Sequence, residues 1–120
     1  MPSAISKLKL SGSTDGKAIK VAATATLGTT IHTAQSGTTA GSYDEVWLKA
    51  TNNDTVSRTL TIEWGGATSP DCLMTITLPS KSGWVPIVKG DILQNSLVVT
   101  AFASAANVIC IQGYVNRLTA

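Results

Sequence analysis

Alternation with a period of two runs through most of this chain, and little else competes with it. Leu60, Ile62 and Trp64 alternate with Thr59, Thr61 and Glu63. Val46, Leu48 and Ala50 alternate with Trp47, Lys49 and Thr51, and Leu97, Val99 and Ala101 with Val98, Thr100 and Phe102. The same period orders Cys72, Met74, Ile76 and Leu78, and then Ile109, Ile111 and Val115. Successive side chains of a strand point to opposite faces, so such runs make half-buried strands and cannot make amphipathic helices. Seventeen threonines reinforce the reading, because β-branched side chains fit a pleated surface.

Turn chemistry fills the gaps. Asn52-Asn53-Asp54, Gly65-Gly66, Ser69-Pro70-Asp71, Pro79 to Gly83, Lys89-Gly90-Asp91, Gln94-Asn95-Ser96 and Ser104 to Asn107 each read as a break between strands. Pro86 removes a ladder donor, so the strand over 84–88 is expected to be short or at an edge. Residues 33–42, rich in Thr, Ala, Gly and Ser, read as a flexible loop. Ile5, Leu8 and Leu10 suggest a first strand, and 17–26 a second. Seven to nine strands at short spacing imply two packed antiparallel sheets: an all-β sandwich of jelly-roll type. At 120 residues this is a single domain, divided into a basic N-terminal arm or set of edge strands over 1–28 and a β-sandwich over 29–120.

Charge is scarce. Charged residues make up 13% of the chain, about half the usual ~25%. That suits a protein whose surface is largely covered by other subunits. Lys7, Lys9, Lys17 and Lys20 crowd the first twenty residues against a single Asp15, and form a candidate docking patch for an acidic partner. A net charge of +2 is too small to argue for nucleic acid. The stretch 97–111 is interrupted by Thr100, Ser104 and Asn107, so no membrane span is expected. The start of the chain has no apolar run of the kind that directs export. Cys72 and Cys110 lie within apolar runs and are expected to be reduced and buried.

The residues supply no reaction centre. The single His32 has no acidic or cysteine neighbour in sequence and reads as a structural residue. The carboxylates Asp15, Asp44, Glu45, Asp54, Glu63, Asp71 and Asp91 are mostly assigned to turns. No zinc spacing, EF-hand, phosphate loop or nucleophile elbow is present, so no metal, cofactor or catalytic residue is expected. Trp47, Trp64 and Trp84 are large enough to anchor an interface or to stack against a sugar, and Trp47 and Trp84 join the lysines as candidate interface residues.

Three strings carry a family likeness. Asp44-Glu45-Val46-Trp47-Leu48-Lys49-Ala50-Thr51-Asn52, Leu60-Thr61-Ile62-Glu63-Trp64-Gly65-Gly66, and Asn95 to Phe102 followed by Ile111-Gln112-Gly113-Tyr114-Val115-Asn116-Arg117 resemble small virion proteins of tailed bacteriophages. The resemblance spans about residues 29–118. It implies a head decoration (cement) protein: a non-enzymatic β-sandwich, made in the host cytoplasm, that binds the major capsid protein on the outside of the virion and stabilises the particle. The threefold positions of a capsid lattice make a homotrimer the expected assembly. The alternative is a tail or fibre module that binds host carbohydrate.

Overall fold

The computed structural model describes residues 4–120, and residues 1–3 of the N-terminal segment lie outside the described residues. Nine strands follow one another: β1 (Ala4–Lys9), β2 (Ile19–Lys20), β3 (Thr29–Thr33), β4 (Tyr43–Asn52), β5 (Arg58–Trp64), β6 (Leu73–Leu78), β7 (Val85–Leu93), β8 (Val98–Ala103) and β9 (Ile109–Thr119). There is no helix among the described residues. One sheet has the order β1-β9-β4-β7, with β2 also on β9, and the other has the order β3-β8-β5-β6.

The pairings are nested. β5 pairs with β6, β4 with β7, β3 with β8 and β1 with β9, all antiparallel. The chain is thus one long hairpin with its tip between β5 and β6. That ribbon is folded so that β4 meets β9 and β5 meets β8. This is the jelly-roll wrapping of an antiparallel sandwich.

Alternation explains the core. Val46, Leu48 and Ala50 of β4, Leu60 and Ile62 of β5, Val99 and Ala101 of β8, and Ile109, Ile111 and Val115 of β9 all point inward and are buried. Leu10, Ile19 and Val21 are buried with them. The N-terminal segment is therefore built into the sandwich: β1 is an edge strand in register with β9 from Ala4↔Thr119 to Lys9↔Tyr114, and Leu10 reaches the core.

Several expectations are corrected. The strand through Pro86 is at an edge, as expected, but Lys89-Gly90-Asp91, read as a break in the sequence, lies within its nine residues. Two register shifts against β4 absorb the interruption, as bulges do. Four of the carboxylates assigned mostly to turns lie in strands: Asp44 and Glu45 in β4, Glu63 in β5 and Asp91 in β7. Cys72 and Cys110 are free, as expected, but half-buried. Ile109 and Ile111 take the inward positions of β9, so Cys110 must face out.

Buried polar side chains fasten the two sheets. Asp44 of β4 is fully buried. Its Oδ2 receives His32 Nε2 of β3 at 2.7 Å and Arg117 Nη2 of β9 at 2.9 Å, and its Oδ1 receives Arg117 Nε at 2.8 Å. Glu63 of β5, also fully buried, accepts from Thr100 Oγ1 at 2.6 Å, the Gly28 amide at 2.7 Å and Thr26 Oγ1 at 2.8 Å. The segment before β3 is thereby held across the outer side of β5 and β8. Asn52, at the end of β4, donates through Nδ2 to the carbonyls of Val56, Leu78 and Pro79. Every buried side-chain polar atom among the described residues has a partner.

Candidate interaction face

Residues opposite one another in a ladder share a face, so the register assigns the outward side of the first sheet. Lys7 faces Asn116 and Lys9 faces Tyr114 across β1 and β9. Lys20 faces Cys110. Glu45, Trp47 and Lys49 of β4 face Asn116, Tyr114 and Gln112 of β9, and Trp47 and Lys49 face Lys89 and Pro86 of β7 on the other side. Five of the seven lysines in the chain therefore stand on one sheet face. Asp91, opposite the inward-facing Val46 at a bulge of β7, is exposed near its edge.

The aromatic residues at its centre are held in place. The Trp47 and Tyr114 rings stack with centroids 6.3 Å apart and an interplanar angle of 12°. Lys7 Nζ sits 4.3 Å from the Tyr114 ring centroid. Trp47 Nε1 donates to Glu45 Oε1 at 2.8 Å, and Asn116 Nδ2 donates to the same oxygen at 3.1 Å. These two bonds hold the Glu45 carboxyl below the usual carboxylate range, despite the small opposing effect of desolvation. Glu45 thus orients the indole and amide.

Two glycines make room for Trp47. Gly90 (φ +83°) lies under the indole, and a Cβ there would come within 2.9 Å of Cζ2. Gly113 of β9 passes the Trp47 carbonyl so closely that any Cβ would collide with it. The indole can therefore lie across β7 and wall a shallow groove of about 500 Å³, with Tyr114, Lys49, Pro86, Val88, Lys89 and Gln112 around it. At one end Lys49 Nζ stands 5.2 Å from the ring centroid of Trp84, which is 44% exposed.

Of the six residues singled out in sequence, Lys7, Lys9, Lys20 and Trp47 converge on this face, with Trp84 joined to it through Lys49. Lys17 lies apart, in the turn that its amide closes on the Thr14 carbonyl ahead of β2. Sequence reasoning did not single out Tyr114, Lys49, Lys89 or Gln112. Period two from Trp47 places Lys49 beside it, whereas Tyr114 joins only through the β4·β9 register.

A second cluster has the composition of a hydrolase triad but not its connections. Ser11, His32 and Asp44 are adjacent, yet it is the Ser11 amide that donates to His32 Nδ1, at 3.0 Å, while Ser11 Oγ accepts from the Thr33 amide at 2.7 Å. With Nδ1 accepting, the proton is on Nε2 and points at Asp44. A triad needs the free imidazole nitrogen aimed at a nucleophile and open to substrate. Here that nitrogen is taken by backbone and the ring is buried. No group of three or more His, Cys, Asp or Glu among the described residues is placed to hold a metal.

Comparison with protein-family models, with curated proteins and with solved structures returned no match.

Proposed function

We propose that this chain is a non-enzymatic structural protein that docks through the outer face of its first sheet onto an acidic protein surface, as a decoration protein does on the exterior of a phage capsid. The observation that carries the reading is the placement of five lysines on the sheet face whose centre is the stacked Trp47–Tyr114 pair. Buried aromatics anchor interfaces and a charged surround selects the partner. A second copy of the same face is a poor partner, because lysine would meet lysine across the contact. The jelly roll supplies a stiff platform, and the likeness of the Asp44–Asn52, Leu60–Gly66, Asn95–Phe102 and Ile111–Arg117 strings to virion proteins supports a place on a phage particle. Many copies on a lattice bind with avidity, so each contact can be weak.

The test is to mix the purified protein with particles stripped of it, then measure occupancy and the temperature of genome release. Binding should fall with salt. It should be lost in a variant with Lys7, Lys9, Lys49 and Lys89 changed to glutamate. Absence of binding, or binding that leaves the release temperature unchanged, removes the decoration role.

The groove favours a second reading. Trp47 and Tyr114 form an aromatic wall, Gln112 offers an amide, and lysines stand at the rim, a set that also suits an acidic sugar on a tail or fibre module. Binding on a glycan array that is lost in Trp47→Ala would select it.

A further inference from the structure

The two sheets have four edges, and three of them are guarded against pairing. β1 carries Lys7 and Lys9. β3 is five residues long, contains a register shift, and is capped from outside by the Gly12 amide on the Ile31 carbonyl and by Ser11 Oγ on the Thr33 amide. β7 carries Pro86, Lys89 and two bulges. Charge, proline, bulges and covering segments are the means by which edge strands are kept from adding a further strand. β6, with the sequence LMTITL, has none of them. It is uncharged, and its register against β5 runs without a shift from Arg58↔Leu78 to Glu63↔Leu73.

The backbone groups that β6 leaves open can be identified. The Trp64 amide bonds the Cys72 carbonyl at 2.7 Å, so Trp64 and Cys72 mark a bonded position of the ladder, although the Cys72 amide itself turns back to the Thr68 carbonyl at 3.0 Å. Such pairs alternate with non-bonded ones along an antiparallel ladder. Met74 and Ile76 then direct their N–H and C=O groups to β5, while Leu73, Thr75 and Thr77 direct theirs away from it. The outward groups of these three residues have no hydrogen-bond partner among the described residues.

We propose that β6 is a self-pairing edge: two copies of this chain join β6 to β6 antiparallel about a twofold axis through Thr75, making one continuous eight-stranded sheet. The register follows from which groups are open. With Thr75 opposite its own copy, Leu73 lies opposite Thr77, and all three outward residues form bonded pairs, giving about six hydrogen bonds. Moving the axis to Ile76 would place Leu73 opposite Pro79, which has no N–H and whose carbonyl already accepts from Asn52 Nδ2, and leave about four. The Thr75 register also matches the faces. Met74 meets Ile76 on the core side, where both are half-buried and pack against the existing core. On the outer side Thr75 meets Thr75, which extends the Thr61–Thr75 contact (Oγ1 to Oγ1, 3.2 Å) across the axis. No like charges meet along the strand. A twofold of this kind closes on itself, so the contact makes a dimer, in place of the trimer expected from lattice positions. It uses the sheet opposite the lysine-bearing face and is independent of the docking reading.

The experiment is sedimentation of the purified chain across a dilution series, with circular dichroism and thermal melts to verify folding. A species of twice the 12.4 kDa chain mass is expected at high concentration, dissociating on dilution because the contact is only one strand wide. Thr75→Lys and Thr75→Glu should each sediment as a monomer, and an equimolar mixture of the two should recover the dimer mass, because residue 75 faces itself. Thr75→Pro should also be monomeric, since it removes an N–H that the β5 ladder does not use. A wild-type monomer at every concentration, a trimer, or a dimer that persists in folded Thr75→Lys and Thr75→Pro overturns the proposal.

Discussion

Trp47 and Tyr114 stand opposite one another in β4 and β9, and their stacked rings form the centre of the lysine-bearing face. Both rings are half-buried and neither belongs to the core. Trp47→Ala should therefore leave the sandwich folded. A half-buried large side chain contributes about 1–2 kcal/mol through burial, so a modest fall in the urea midpoint is expected. Docking should suffer far more than stability, since truncating a central aromatic anchor typically costs 2 kcal/mol or more, about thirtyfold in affinity. Equal losses in the two measurements would make Trp47 a packing residue and not an anchor.

Asp44 should behave as a structural residue. Asp44→Ala leaves the buried His32 Nε2–H and the Arg117 guanidinium without their shared acceptor. Breaking a buried pair of this kind costs about 3–5 kcal/mol. The equilibrium unfolding midpoint should fall accordingly, whereas Ser11→Ala, which keeps the amide bond to His32, should cost much less. A large loss of function in folded Ser11→Ala with little loss of stability would instead point to chemistry at this cluster.

Acid should weaken the fold through two buried carboxylates. Burial raises the pKa of Asp44, but the hydrogen bonds from Arg117 and His32 and the charge of Arg117 outweigh it and hold the group below its ordinary 3.8. Burial likewise raises that of Glu63, and bonds from Thr100, Thr26 and the Gly28 amide outweigh it, leaving the group below 4.5. A carboxylate whose pKa is lower folded than unfolded adds stability that is fully present above the unfolded value and is lost as pH falls through the folded one. The contribution of these groups to unfolding free energy should thus be constant above about pH 5.5 and decline below about pH 4.5. Glu63→Gln should be less stable at neutral pH and show a shallower acid slope. An unchanged slope would remove Glu63 from the account.

How far the sequence carries depends on whether a feature is local. The inward residues of β4, β5, β8 and β9 follow from period two alone, because each strand meets the core on one side only. β7 hides its period: Pro86 and Gly90 interrupt it, and only the partner strand β4 makes the bulges continuous with the sheet. Asp44 and Glu63 look like ordinary outer or turn residues because their partners are remote. His32 reaches Asp44 from the other sheet, and Thr26 and Gly28 cover Glu63 from a segment with no pattern of its own. The lysines and Trp47 could be picked out by composition and size, but their union on one face required the register of β9 against β1, β2 and β4.

The two cysteines provide a footprint of the proposed docking. Cys110 lies on the lysine-bearing face, opposite Lys20 in β2 and Thr51 in β4. Cys72 precedes β6 in the other sheet, with its sulfur beside Gly66. Both thiols are free and half-buried, so a small alkylating reagent should label each slowly in the native protein and rapidly after denaturation without reductant. A partner covering the lysine-bearing face would shield Cys110 and leave Cys72 as reactive as before. Labelling on and off the particle, read by mass spectrometry of peptides, gives two rates whose ratio reports the docked side. A selective fall at Cys110 is the expected result. A selective fall at Cys72 would place the contact on the opposite sheet, and equal rates on and off the particle would show that the lysine-bearing face stays open.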